Sequence, residues 1–201
     1  MKTYQVITPA STYPVSLTEA KSHLKVDTTA DDTYITSIIK AATQLSEEYT
    51  NRFFIDTVID QTCSDFAQLQ TLFKSKVSAV AHVKYYDSDN SLQTLSATIY
   101  DTQLQYEPSQ IQLADDKSFP EITKRNDAVV ARYTVGYGSA ASDVPEIIKQ
   151  AILLTIGNFY QNRNSVVIGR IATELPMNVK WLLDTYKAVS YTHLTLPTIR
   201  S

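Results

Sequence analysis

Residues able to do acid–base, nucleophilic or metal chemistry are few and scattered in this chain of 201 residues. Up to residue 188 the only histidines are His23 and His82, and neither has a second ligand at a metal-binding spacing such as His-x-x-x-His or Cys-x-x-Cys. The single cysteine, Cys63, lies in a strand-like run without an obvious histidine partner, which is typical of a buried, inert thiol. We therefore predict no catalytic residues, no metal ligands and no cofactor-binding residues.

One acidic stretch has the opening of a calcium loop. Asp87, Asp89 and Ser91 alternate as the first three ligands of such a loop do. However, Leu92 stands where the loop requires glycine, and Thr98 stands where it requires an acidic residue. A solvated hairpin tip is the favoured interpretation.

Two other patterns also have simple structural explanations. Gly136-Tyr137-Gly138 lacks the further glycine and lysine of a phosphate-binding loop, so it predicts a tight turn from a strand to a helix. Paired acids fall at helix starts, on polar faces or in turns, where solvation accounts for them: Asp31-Asp32, Glu47-Glu48 and Asp115-Asp116.

Basic and aromatic side chains suggest two kinds of surface. The scattered cations are Lys84, Lys124, Arg125, Arg132, Arg163 and Arg170, and they could form a weak nucleic-acid surface. With 18 basic against 21 acidic residues, the chain lacks the excess of basic residues that nucleic-acid binding requires. Six of the thirteen tyrosines fall in the middle of the chain, where core packing or burial against another protein would explain them: Tyr85, Tyr86, Tyr100, Tyr106, Tyr133 and Tyr137.

The elements that would position these residues begin with two helices. Residues 1–15 are expected to be extended and turn-like, because prolines interrupt them. Ser16 and Glu19 then form a capping box that starts a short helix to about residue 25. A long amphipathic helix is predicted over 31–52, with apolar residues recurring three and four positions apart: Ile35, Ile38, Ile39, Ala42, Leu45 and Tyr49.

The middle of the chain has the period of strands. From Phe53 onward, β-branched and aromatic clusters alternate with polar turns. The clearest pattern is a hairpin of residues 77–86 and 92–100 around a polar connection. Further extended runs follow at 110–113 and 128–135. We predict a mainly antiparallel β unit over 54–138.

The helical period returns after residue 138. Asp143 is the expected N-cap of a second long helix, which runs from Pro145 to about Arg163 and is apolar on nearly every side. Pro176 precedes a last short helix to about residue 187, with Trp181 at its edge. Segments 1–53 and 139–188 would thus form one discontinuous helical domain with the β unit inserted, which is an α+β fold: a small helical bundle from both chain ends plus an antiparallel sheet.

The last thirteen residues, 189–201, match no helix or strand period. The residues from Val189 to Thr198 equal the translation of a widely used transposase sequencing adapter, and the next adapter base fits Ile199. We predict that 189–201 is adapter read-through and not native; a genuine disordered tail is the alternative. Residues 1–188 carry 17 basic and 21 acidic residues, a net charge of −4. Truncation after Ala188 should leave stability almost unchanged.

Composition limits where the protein works. It has one cysteine, no signal-peptide-like N-terminus, and no apolar run longer than that within 151–157. We expect a soluble protein made in a reducing cytoplasm, without a membrane partner.

Six stretches, taken in order, are similar to those of one known family. They are Pro14-Val15-Ser16-Leu17-Thr18-Glu19-Ala20-Lys21 with His23 to Asp27, the helix ending Glu48-x-Thr50-x-Arg52, the strand 77–86, Tyr133-x-x-Gly136-Tyr137-Gly138, the helix from Asp143 to Tyr160-x-x-Arg163, and Glu174-Leu175-Pro176 with Leu182-Leu183-x-x-Tyr186. Together, over about 5–188, they resemble the head-tail connector (adaptor) proteins of tailed bacteriophages and prophages.

This resemblance implies a structural virion protein of head completion, and no enzyme. Copies would form a ring, dodecameric when assembled, that docks under the portal protein, extends the DNA exit channel and provides the platform for the stopper or tail-completion protein. DNA would pass through the lumen without sequence-specific binding, and the net charge of −4 would suit this if acidic side chains face the lumen. The protein would be made in the bacterial host cytoplasm and reside at the head–tail interface of the virion. The alternative function is a small nucleic-acid-binding or regulatory module.

Overall fold

The computed structural model describes residues 3–74, 76–163 and 175–188. Three subjects of the sequence analysis, Arg170, Glu174 and the tail 189–201, lie outside these ranges. The helices are α1 (Leu17–Leu24), α2 (Asp32–Thr50), α3 (Glu146–Gln161) and α4 (Met177–Asp184). The strands are β1 (Thr3–Thr8), β2 (Thr57–Cys63), β3 (Val77–Tyr86), β4 (Leu92–Thr94), β5 (Tyr100–Gln103), β6 (Gln110–Leu113) and β7 (Val129–Val135).

The main sheet has five strands in the order β1-β2-β7-β3-β4, and neighbouring strands are antiparallel. The predicted hairpin is β3 with β4, although its second strand ends at Thr94 and a separate hairpin, β5 with β6, follows. The N-terminal segment is extended, as expected, but Thr3–Thr8 also forms a strand, whose six residues are all exposed. It pairs with β2 and forms one edge of the sheet.

Helix ends follow local hydrogen bonding. The capping box of α1 is present: Glu19 N–H donates to Ser16 Oγ at 3.2 Å, and Ser16 N–H donates to Glu19 Oε2 at 2.7 Å. The prediction that Asp143 caps α3 is wrong, because α3 begins at Glu146 directly after Pro145. The Asp143 carboxylate instead accepts the N–H of Ala140 at 3.0 Å and stabilises the turn before the helix.

The molecule has two large hydrophobic cores, one among the helices and one on the sheet. The helical core joins the inner face of α2 to α1, α3 and the segment after α2; its largest fully buried side chains include Ile35, Phe54, Ile55, Ile148, Ile152 and Ile156. The other core lies on the sheet and includes Ile59, Leu69, Ile111 and Tyr133. A smaller cluster seats α4 on α3 through Ala151, Val179 and Leu183. Helices and an antiparallel sheet together confirm the predicted α+β class.

Two features connect the helices to the sheet. Gly136, after β7, has a φ of +151°, and a Cβ there would lie 2.6 Å from the backbone nitrogen of Asp56, so only glycine fits this close turn. Arg52, 6% exposed, follows α2 and donates through Nη1 to Glu107 Oε1 at 2.9 Å in the loop between β5 and β6. The end of the central helix is thereby tied to the β unit.

Candidate interaction surface

The residues considered for chemistry do not come together. Cys63 is fully buried, as predicted. Within the described part of the chain, no three His, Cys, Asp or Glu side chains could share a metal ion. His82 is partly buried on β3, where burial lowers its pKa. Within the ranges described, these residues do not converge on a shared metal site.

The stretch compared with a calcium loop is the tip of the β3–β4 hairpin. Asp87 Oδ1 accepts the N–H groups of Asp89 at 3.1 Å and Ser91 at 2.9 Å, and Oδ2 accepts the Gln93 side-chain amide at 2.9 Å. These bonds to the carboxylate, led by that from Ser91, lower the pKa of Asp87. Its oxygens are used to close the turn, in agreement with the hairpin interpretation.

Three of the scattered arginines are paired with carboxylates. Arg125 lies 2.6 Å from Asp127, Arg132 lies 2.7 Å from Asp60, and Arg163 lies 2.8 Å from Asp31. Each pair neutralises a cation that nucleic-acid binding would use. This pairing weakens the case for a basic nucleic-acid surface.

The six tyrosines singled out in the sequence are mostly packed. Tyr133 is fully buried, Tyr106 is 56% exposed, and the other four are partly buried. Two exposed tyrosines that the sequence analysis did not single out are Tyr4 on β1 and Tyr13 after it, at 42% and 40%. They line a cleft beside α2.

This cleft, about 570 Å³, lies between the outer face of α2 and the edge strand β1. Its walls are aromatic or apolar, and its lining carries two lysines and two glutamates. The residues are Tyr4, Val6, Pro9, Ala10, Tyr13, Lys40, Thr43, Gln44, Glu47, Glu48, Phe53, Thr57 and Lys74. The volume falls within the range of about 300–1,000 Å³ that is usual for binding sites.

A buried polar network positions one wall of the cleft. Gln61 Oε1, in β2, accepts the hydroxyl of Tyr133 at 2.6 Å and the N–H of Phe73 at 2.7 Å. The segment around Phe73 is thereby fixed against the sheet. Phe73 packs on Tyr4 with ring centroids 5.6 Å apart, and Lys74 Nζ lies 5.6 Å from the Tyr4 centroid and 5.4 Å from that of Phe53.

Glu47 lies at the inner end of the cleft, contrary to the solvated position predicted for it. Burial raises its pKa from 4.5 to about 7, although its carboxylate accepts the N–H of Phe54 at 2.9 Å. Residues of the edge strand, of the following loop and Lys74 line the same cleft as Glu47. Burial also lowers the pKa of nearby Lys74, and Glu47 and Glu48 oppose that effect.

Thr43, one turn before Glu47, is 5% exposed. Its Oγ1 is one of three buried side-chain oxygen or nitrogen atoms without a hydrogen-bond partner in the described ranges. Other hydroxyls on the same helix, Ser46 and Thr50, bond to the carbonyl four residues earlier at 2.8 Å. Thr43 therefore leaves a buried polar atom unsatisfied in the wall of a cleft.

A second exposed apolar surface lies on α4. Met177 and Trp181 are one helical turn apart and are 69% and 70% exposed, the highest values among the large hydrophobic side chains of the described residues. The opposite side of α4 is buried through Val179 and Leu183. Trp181 matches the edge position expected from sequence.

The cleft and the α4 surface both have the residue types of binding surfaces. The cleft is lined by aromatic rings, two ammonium groups and two carboxyl groups, without a serine, cysteine or histidine among its described lining residues. Trp, Tyr and Met are the residue types most enriched where proteins contact one another. No helix in the described ranges has the length and hydrophobicity to cross a membrane.

Comparison with known proteins gives one family and one fold. Residues 14–117 match the family of phage gp6-like head-tail connector proteins. No curated protein matches the chain.

Solved structures with the same fold come from gene transfer agent (GTA) particles. A chain in the neck of an empty GTA particle, computed with C6 symmetry, has a TM-score of 0.76 and 19% identity, over 94% of this chain and 96% of that one. A chain in the virion of a native GTA particle has a TM-score of 0.71 and 20% identity, over 93% and 96%. A chain in the neck of a native GTA particle, computed with C12 symmetry, has a TM-score of 0.71 and 19% identity, over 94% and 96%.

Proposed function

Since the chain belongs to the phage gp6-like head-tail connector family, whose role is structural, we propose that its copies assemble into a ring at the neck of a virion. The ring docks under the portal protein, extends the DNA exit channel and carries the stopper or tail-completion protein. The match of residues 14–117 to the connector family carries this proposal. Twelve copies is the proposed number, supported by the C12 symmetry used for one neck with the same fold.

The architecture is compatible with ring assembly. A closed ring of identical subunits needs two different surfaces that complement each other on neighbouring copies. The described chain has two such candidates, the cleft beside α2 and the exposed face of α4. The division into a discontinuous helical domain, 1–53 and 139–188, and an inserted β unit, 54–138, stays a proposal. The separate helical and sheet cores support it, whereas β1 belongs to the sheet although it lies within 1–53.

DNA is proposed to slide through the lumen without sequence-specific contacts. The net charge of −4 over residues 1–188 and the pairing of Arg125, Arg132 and Arg163 with carboxylates support a surface with little affinity for phosphates. Acidic side chains are expected to face the lumen. A reconstructed ring with a mainly Lys/Arg lumen would contradict this part of the proposal.

Mass photometry and negative-stain microscopy of the purified full chain, alone and with portal assemblies encoded by the same viral genome, test the ring. We expect particles of about 270 kDa, twelve copies of 22.5 kDa, or rings seated on portals. A strict monomer that ignores portals and binds duplex DNA with a steep salt dependence would instead favour the nucleic-acid-binding alternative.

A further inference from the structure

We infer that Trp181 and Met177 of one copy insert into the cleft between α2 and β1 of the neighbouring copy, and that this contact is the seam of the ring. The inference rests on the proposed ring and names the residues that close it. Its occupant is a second copy of this chain. Three observations carry it: the placement of the two surfaces, the aromatic lining of the cleft, and the balance of charge.

The two surfaces lie on nearly opposite sides of α2. Leu45 and Tyr49 pack in the cluster that seats α4, and the Tyr49 hydroxyl donates to Asp184 of α4 at 2.6 Å. Thr43 and Glu47, each two residues earlier, line the cleft. Two residues correspond to a rotation of about 200° at 3.6 residues per turn. With α4 held on one side of α2, its exposed side chains cannot fill the cleft of their own chain, but they can fill that of a neighbour.

The chemistry of the cleft matches an indole side chain. Trp181 provides a large apolar ring and a single N–H donor. Tyr4 and Phe53 line the cleft with aromatic rings, and Glu47 lines it with a carboxyl group. An inserted indole would bury its ring and offer its N–H to the Glu47 carboxyl. Met177, one turn away, is unbranched and fills the irregular remainder of such a space.

The charge of the cleft favours a neutral occupant. Its lining carries Lys40 and Lys74 against Glu47 and Glu48, so the formal charges cancel. A phosphate or a strongly basic peptide would leave one sign of charge unpaired in a partly buried place, which is costly. The exposed side chains of α4, a tryptophan and a methionine, bring no charge into the cleft. A head-to-tail contact between the exposed face of α4 and the cleft of the next copy repeats from copy to copy, which is the geometry that closes a ring.

Assembly of the Trp181→Ala variant of the full chain tests the seam. Because a tryptophan seated in a pocket usually dominates an interface, we expect the concentration for half-assembly to rise at least about tenfold. Trp181→Phe, which keeps the ring and loses the N–H, should show a smaller rise. Ile147→Ala, which removes another large side chain exposed to 44% on α3, is the matched control and should assemble normally. Circular dichroism melting curves of all variants, recorded at a concentration below that of assembly, should coincide with the wild type.

Cross-linking tests the pairing of the two surfaces without removing Trp181. Thr185, one turn after Trp181, and Gln44, in the cleft lining, are both exposed. The double variant Thr185→Cys/Gln44→Cys, treated with a short bismaleimide, should give a ladder of covalent multimers, because each copy has both partners. A mixture of the two single variants should stop at the dimer. The native Cys63 is buried and should stay unmodified.

The outcomes separate the seam from the ring. The inference is supported if the wild type forms rings, Trp181→Ala weakens their assembly, and the double-cysteine variant cross-links as a ladder. The seam is overturned, and the proposed connector ring stays intact, if the wild type forms rings, Trp181→Ala assembles as well as Ile147→Ala, and the double-cysteine variant gives no ladder. A wild-type chain that forms no ring, alone or on portals, and gives no ladder overturns both.

Discussion

The molecule has two polar sites joined by the segment around Phe73 and Lys74, and they differ in how completely their hydrogen bonds are made. At the inner site, Gln61 accepts from Tyr133 and from the Phe73 backbone, and its amide donates to Thr71 at 3.3 Å. In the cleft, Thr43 Oγ1 has no partner among the described residues, and the Glu47 pKa is raised by burial. Buried polar groups are normally satisfied, so the inner site follows the rule, whereas Thr43 Oγ1 in the wall of the cleft is an exception to it.

The largest difference in stability is expected when an aspartate is introduced on one or the other face of α2. Ile38 is 3% exposed in the helical core, so Ile38→Asp buries an unpaired carboxylate and should unfold the chain. Lys40, exposed at the cleft, is the matched position, and Lys40→Asp should change the free energy of unfolding by less than about 0.5 kcal/mol. Urea denaturation followed by circular dichroism measures both. An equally severe loss at Lys40 would show that the outer face is part of the folded core.

Removing the acceptor of the inner site should have the next largest effect. Gln61→Leu removes the acceptor that the Phe73 N–H and the Tyr133 hydroxyl share. Each group keeps a second bond, because the Phe73 N–H also donates to the Tyr133 hydroxyl at 3.0 Å and that hydroxyl can donate to the Phe73 carbonyl at 3.1 Å. At about 0.5–1.5 kcal/mol for each lost bond, we expect a decrease of roughly 2 kcal/mol in the free energy of unfolding by urea denaturation. A change below about 0.5 kcal/mol would mean that the network is not holding the segment at Phe73.

The pH dependence of the free energy of unfolding should reveal the raised pKa of Glu47. The folded chain keeps the Glu47 proton up to a pKa of about 7, whereas the unfolded chain releases it near 4.5. The folded state therefore binds more protons between these values, and stability falls as pH rises through this window. The contribution is at most about 3 kcal/mol at 1.36 kcal/mol per unit of pKa.

Glu47→Gln should remove this decline, since an uncharged amide can still accept the Phe54 N–H. Its gain in stability over the wild type should therefore grow from pH 5 to pH 8. Glu48→Gln, at an exposed neighbouring position, is the control and should follow the wild-type profile. Parallel curves for Glu47→Gln and the wild type would contradict the raised pKa.

The smallest effect is expected at Thr43, and it has the opposite sign to that at Gln61. Thr43→Val replaces a hydroxyl without a partner by a methyl group of similar shape, which should stabilise the isolated chain by about 1 kcal/mol. Urea denaturation of the monomer measures this effect. Loss of monomer stability would show that Thr43 has a partner inside its own chain.

Features set by short-range rules were predictable from the sequence. The capping box at Ser16 and Glu19 needs contacts only three residues apart, and the inner stripe of α2 needs only helical spacing. The turn at Asp87 follows from its own side-chain bonds to nearby N–H groups. The structure contains each of these features.

Features set by distant segments were not predictable. Strand β1 shows no buried alternation because all six of its residues are exposed, and its pairing with β2 is long-range. Glu47 was assigned to solvent because its helical position is polar, and only the arrival of β1 and Lys74 buries it. The outer face of α2 could therefore be placed on a helix from sequence, but its cleft could not be found.

A reconstruction of the assembled ring by electron cryo-microscopy, with side chains resolved at the contact between subunits, tests the central claim most directly. The account predicts a closed ring in which the Trp181 indole of each copy occupies its neighbour's cleft, within hydrogen-bond distance of the Glu47 carboxyl. A ring in which Trp181 faces solvent and the clefts stay open would contradict it.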